Sequence, residues 1–195
     1  WKRSATILPW EKKRNARFFM LSITKKSLTK NTHVRIVFVM SKPSHREAIL
    51  KAGLKVMFRS GYRGASVRDI CAAAGVPQGS FTNHFRSKEA FAEEVLDRYF
   101  AHTKGVVKEA LDDKSLTPRQ RLKRYLDLIS GILEDAKWNR GCLIGDFSLE
   151  TTFQSKRLRQ RLEAIFQEWR APFASCIAEA QAETDDAKRA ERAAR

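Results

Sequence analysis

The chain has 195 residues, 43% of them hydrophobic and 31% charged, with a formal net charge of +16. That balance allows a buried core of ordinary size and excludes a chain that is disordered throughout, while no apolar run approaches the roughly 18 residues of a membrane span. Three cysteines, Cys71, Cys142 and Cys176, lie far apart with no CxxC pair, so neither a zinc site nor a disulfide framework is expected and a reducing compartment fits.

The positive charge is unevenly spread. Residues 1–39 hold ten Lys or Arg against one acid, residues 40–104 eleven against six, and residues 105–195 seventeen against fifteen. More than half of the excess therefore belongs to the first 39 residues, where isolated aromatics and basic residues follow no fixed period. A secretory signal fits them poorly, because Phe18-Phe19-Met20-Leu21 is too short an apolar core and Lys25 and Lys26 follow it at once. The remaining readings are a basic arm that grips DNA and a non-native or disordered extension. The charge that bears on a folded unit is local: between Ser44 and Lys88 eight basic residues face two acids. Such a footprint suits a DNA-binding module.

From His45 the pattern becomes regular. Ile49, Leu50, Leu54, Met57 and Phe58 share one face, which predicts an amphipathic helix to about Ser60 that ends at Gly61. Ser66 then suits an N-cap, with Asp69 near the positive helix end, and Val67, Ile70, Cys71 and Ala74 recur at helical spacing up to Gly75, where a left-handed residue ends a helix cheaply. Pro77 suits the first position of the next helix, and Phe81 and Phe85, one turn apart, plug it onto the one before. The small residues Cys71 to Ala74 are read as making room where the two helices cross. This is a helix-turn-helix. Ser87 caps a long fourth helix with Phe91, Val95, Tyr99 and Phe100. Pro118 opens a fifth, with Leu122, Tyr125, Leu126, Ile129 and Leu133 inward. Asn139 to Gly141 closes it, and Gly141 to Glu150 reads as a short apolar segment bounded by glycines. A last helix is expected from about Lys156 to Glu183, its stripe comprising Leu158, Leu162, Ile165, Phe166, Trp169, Phe173 and Ile177, with a kink at Pro172. Asp185 to Arg195 has helical composition and little to bury. The fold class is all-α, with a three-helix head over residues 40–88 and a helical body over 89–195.

Gly75-Val76-Pro77-Gln78-Gly79-Ser80-Phe81, followed by His84-Phe85-Arg86-Ser87-Lys88-Glu89-Ala90-Phe91, closely resembles the DNA-binding signature of TetR/AcrR-type transcriptional regulators. The resemblance runs from about His45 to about Tyr99 with unbroken spacing. Thr82 departs from it, standing where such proteins most often carry a tyrosine against a DNA phosphate; its hydroxyl still donates to a phosphate oxygen. Met40-Ser41-Lys42-Pro43-Ser44 resembles the start of such chains, which favours reading residues 1–39 as upstream sequence translated from a mis-set start. The resemblance also implies two further helices that build a dimer interface, so that the body reads as partial at its C-terminal end and, without them, as largely monomeric. Gly141-Cys142-Leu143, after Lys137 and Arg140, is similar to the sensing segment of a subgroup that responds to electrophiles and oxidants.

Chemistry on the chain is sparse. His33, His45, His84 and His102 form no metal-spaced pair with a carboxylate, and no GxSxG or phosphate loop occurs, so an enzyme is not expected and neither is a cofactor or metal. Ser80 and His84 lie one turn apart, yet no acid is placed to orient the imidazole. For DNA, the second helix enters the major groove and offers Gln78, Gly79, Ser80, Thr82, Asn83 and His84. Gln78 and Asn83 have the donor and acceptor pair that reads an adenine, and Thr82 and His84 suit phosphate or mixed contacts. Ser66 joins this set, and Lys88 matches the phosphate-binding lysine of the resemblance. The plain alternative is the solvated face of a small helix. For an effector, Tyr99, Tyr125, Trp138, Phe147, Phe153, Trp169 and Phe173 are candidate lining, against the plainer account of an aromatic stripe as core; Cys142 is the candidate redox or electrophile sensor, against a buried apolar thiol filling space. The expected function is a sequence-specific repressor, acting as a homodimer on a palindromic operator in the cytoplasm at the bacterial nucleoid and released by a small molecule or electrophile. A helical interaction scaffold without specific DNA binding, or a non-specific basic nucleic-acid-binding protein, are the alternatives.

Overall fold

The computed structural model describes residues 44–139, 141–151 and 155–193. The basic extension, the Met40 to Pro43 segment, Arg140 and Phe153 lie outside the described residues. Among those described, seven helices and no strand occur: α1 (His45–Gly64), α2 (Val67–Ala74), α3 (Gly79–His84), α4 (Lys88–Leu111), α5 (Pro118–Asp135), α6 (Leu143–Thr151) and α7 (Lys156–Ala193).

Local chemistry sets the helix ends. The hydroxyls of Ser44, Ser66 and Ser87 accept from the backbone N–H groups of Glu47, Asp69 and Ala90, satisfying donors that a helix start leaves free. Gly75 sits at φ 67° and closes α2, its N–H bonding Ala72 O and that of Val76 bonding Cys71 O, both at 3.1 Å. Thr117 and Gln120 form a reciprocal capping box ahead of α5, with Pro118 at its first position. Helical geometry in α1 breaks at Gly61, close to the expected end, where φ 71° and ψ 179° are open only to glycine.

Several elements depart from expectation. α3 begins at Gly79, not Pro77: Pro77 instead opens a turn whose carbonyl accepts from Ser80 N at 2.9 Å. Of the small residues in α2 only Cys71 is buried, while Ala72 and Ala73 face solvent, so they do not make room at the crossing. The apolar Gly141 to Glu150 segment is largely the helix α6, which buries Leu143, Ile144, Phe147 and Thr151 on one face. Leu126 is 63% exposed, because the inward arc of α5 is set by Leu122, Tyr125 and Leu128 and the next residue after Tyr125 is turned about 100° away. α7 contains Pro172, as expected, and continues past Glu183 to Ala193, while Phe166 and Ile177 of its expected stripe are each 45% exposed.

Two apolar clusters hold the fold. The larger joins α1–α3 to the near ends of α4, α6 and α7, with Phe81, Phe85 and Phe91 interlocked at ring separations of 4.8 to 5.2 Å. The smaller joins Val107, Ala110, Leu111 and Cys176 to Leu122, Tyr125, Leu128 and Phe173, and Trp169 packs on both. α4 and α7 run parallel in steady register: Glu93 pairs with Arg157, Asp97 with Arg161 at 2.5 Å and Lys104 with Glu168 at 3.1 Å, each 64 residues apart.

Candidate DNA interface and effector core

The first three helices present one polar edge. Gln78, at the cap of α3, and Gly79, Thr82, Asn83 and His84 on the helix are exposed, and its inward side is pinned by Phe81. Gln78 and Asn83 carry the amide donor and acceptor pair that matches an adenine edge. Two of the expected contacts are engaged within the protein: the Thr82 hydroxyl donates to Gly79 O at 3.0 Å, and Ser80 Oγ lies 3.3 Å from His45 Nδ1, tying α3 to the start of α1. Ser66 is exposed at the start of α2, with its hydroxyl donating to Asp69 Oδ2 at 2.6 Å while accepting from Asp69 N.

Lys88 stands where head meets body. Its Nζ lies 4.6 Å from the centre of the Tyr62 ring and donates to Arg63 O at 3.4 Å. Burial pulls its pKa down from the ordinary lysine value, and the nearby Glu150 carboxylate opposes that shift. Glu150 also accepts from Arg63 N at 2.8 Å. The surrounding charge is partly neutralised: Arg46 pairs with Glu94 and Arg98 with Glu47, linking α1 to α4 at 2.5 and 2.6 Å.

In the body, five of the expected effector residues come together: Tyr99, Tyr125, Cys142, Trp169 and Phe173. Tyr99 and Cys142 both pack on the larger cluster, and Thr103 Oγ1 donates to Tyr99 O at 3.2 Å; burial first, then the neighbouring Cys142, push the Tyr99 pKa well above the ordinary tyrosine value. Burial raises the Tyr125 pKa, the neighbouring Trp169 side chain opposes the rise, and Cys142 adds to it. Tyr125 meets Phe173 edge to face at 4.7 Å. Cys142 is half-buried at the start of α6, whereas Cys71 and Cys176 are buried. Phe147 lies elsewhere, fully buried against Tyr62 at 5.6 Å between head and body. Trp138 is 65% exposed beyond the end of α5, at φ 56°, and packs on neither cluster.

Residues 49–95 match the family described as "Bacterial regulatory proteins, tetR family", and residues 118–194 match "Transcriptional regulator LmrA/YxaF-like, C-terminal domain". Over 142 residues the chain is 41% identical to the HTH-type transcriptional repressor DhaR of Mycobacterium sp. (strain GP1), a match covering 73% of this chain and 70% of that protein. The chain belongs to the TetR family. Further relatives are the transcriptional regulator AcuR of Cereibacter sphaeroides, 29% identical over 70% of this chain and 62% of its own length, and the repressor NemR of Escherichia coli K12, 29% identical over 60% and 59%. Among solved structures, a regulatory protein TetR from Rhodobacter sphaeroides superposes with TM-score 0.66 at 29% identity, covering 71% of this chain and 73% of that one. E. coli NemR in its reduced form gives 0.65 at 25% identity, covering 71% and 72%. This TetR-family chain is accordingly a DNA-binding transcriptional regulator with a helical body.

Residue-by-residue reading of the sequence missed parts of the TetR-type head. Arg68 on α2 and Arg86, two residues after α3, are exposed cations of the head, a residue type that contacts phosphate. Their position beside the apolar anchors Val67 and Phe85 was a usable signal. Glu150 had none, since its partner Arg63 is 87 residues away.

Proposed function

We infer that this chain is a transcriptional repressor that binds a palindromic operator as a homodimer, in the bacterial cytoplasm at the nucleoid, and is released when an electrophile adds to Cys142. Gln78 and Asn83 read base edges, Ser66, Gly79, Ser80, Thr82, His84 and Lys88 face the backbone, and Tyr99, Tyr125 and Trp169 line the effector side. The observation that carries the reading is the place of Cys142, a half-buried thiol packed with Tyr99 on the larger cluster and near Tyr125 on the smaller, beside the Trp169 ring that packs on both. A group added to the half-buried sulfur pushes on the side chains packed with it, Tyr99 and Trp169 among them. An enone or quinone adds through a new S–C bond as its C=C π bond breaks, and the thiol proton passes to the electrophile, with no external oxidant. The solved structure of a relative, E. coli NemR, is of its reduced form, which is in keeping with a redox-dependent state in that protein.

The test measures binding of a duplex chosen by the wild-type chain from a random pool, before and after a quinone. Wild type is expected to release the duplex and Cys142→Ser to stay bound. Release of both alike, or labelling of Cys142 in the native protein no faster than a free cysteine, overturns the covalent reading and leaves a non-covalent ligand.

A further inference from the structure

The helix α6 links two places that the sequence keeps far apart. At its start Cys142 O accepts from Asp146 N at 2.9 Å, so the cysteine is tied to the first turn. At its end, about 13 Å away for nine residues, Glu150 reaches the bend between α1 and α2. Its carboxylate accepts the Arg63 N–H at 2.8 Å and fills the space in front of Gly61, where an added Cβ would overlap it. Gly61 itself holds a backbone conformation closed to other residues. Three residues after Arg63, Ser66 caps α2. The same carboxylate lies within electrostatic reach of Lys88, which in turn bonds Arg63 O.

Helix stability does not account for an acid at this position. A carboxylate in the last turn lies at the negative end of α6, where it is unfavourable. Its partners are instead the N–H of Arg63 and the charge of Lys88, both in the head or at its edge. Beside it, Phe147 packs on Tyr62, so one polar and one apolar contact grip residues 61–63 from the same helix face.

We propose that Glu150 is the positioning residue through which the body holds the helix-turn-helix in its DNA-binding orientation. Displacing the Cys142 end of α6 withdraws the carboxylate from Arg63 and frees the Gly61 bend to turn. The first half of this proposal stands on the Glu150 contacts alone; the second rests on the reading of Cys142 as the effector site.

The experiment follows amide exchange at Arg63 and at Val67 to Asp69, together with affinity for the selected duplex, in the full chain. Glu150→Ala is expected to speed Arg63 exchange and weaken DNA binding by about tenfold each, with Tm little changed, while Glu150→Gln, whose amide oxygen still accepts from Arg63, stays within about threefold of wild type. Glu150→Asp, one methylene too short to reach Arg63 N, is expected to give the same loss and serves if Glu150→Ala does not fold. Exchange and affinity in Glu150→Ala or Glu150→Asp within about twofold of wild type overturn the proposal. N-ethylmaleimide on wild type is expected to bring Arg63 exchange to the level of Glu150→Ala and to add nothing in that variant. If the reagent leaves wild type unchanged while Glu150→Ala behaves as expected, the Cys142 reading fails and the Glu150 assignment stands. If the reagent releases DNA with Arg63 exchange unmoved, Cys142 stands and the coupling through Glu150 falls.

Discussion

Asn83 is exposed on a helix whose inward side is fixed by three interlocked phenylalanines, so its side chain reaches solvent without loosening the fold. Asn83→Ala is therefore expected to leave Tm unchanged and to cost about 1–3 kcal/mol at one base position of the bound duplex, seen as relaxed preference in competition binding. A uniform loss across all sequences would assign Asn83 to the backbone instead. Lys88 differs in kind, because its ammonium is engaged within the protein by the Tyr62 ring and Arg63 O. At this scale residue type and spacing located the exposed amides. They did not reveal that Thr82 and Ser80 spend their hydroxyls on Gly79 and His45, since a side-chain oxygen is equally suited to either partner.

The starts of α2 and α4 were legible at Ser66 and Ser87, and that of α5 at Pro118, because a cap is a contact over three residues, whereas α3, with no side-chain cap bond, begins at Gly79 and not Pro77. Ser66, Ser87 and Thr117 each accept from the N–H three positions on, and the residue types that do so are few. For α5 the box is reciprocal, with Thr117 N donating to Gln120 Oε1 at 2.9 Å. Thr117→Ala is expected to lower stability by about 0.5–2 kcal/mol in thermal or urea unfolding and to leave DNA affinity alone. A change in DNA affinity without a change in stability would contradict a purely structural cap. Helix faces were less legible. Leu126 shares the apolar character of its neighbours but not their direction, and the far end of α7 is helical with little to bury, since alanine and charged residues sustain a helix by propensity.

For the whole molecule, pH separates two kinds of contact. Burial holds the His102 imidazole below its ordinary 6.5, so the native state takes up that proton later than the unfolded chain as pH falls. The resulting stability is present above about pH 6.5 and is lost as pH drops through the depressed value, because the unfolded chain binds more protons in between. Glu168, held down mainly by Lys104, and Glu179, held down mainly by Arg121, act in the same direction from their ordinary 4.5 downward. Thermal unfolding is therefore expected to decline in two stages, and His102→Gln to abolish the upper one; superimposable curves for the two proteins between pH 5 and 6.5 would refute the buried imidazole. The sequence by itself determined the all-helical class, the helix-turn-helix and most of its caps, because those rest on contacts between near neighbours and on a few residue types with narrow backbone preferences. Tertiary structure alone decided the parallel register of α4 and α7, the meeting of Cys142 with Tyr99 and Tyr125, and the hold of Glu150 on Arg63. Such contacts join residues tens of positions apart, and their worth depends on which groups are desolvated together, a property that no local pattern carries.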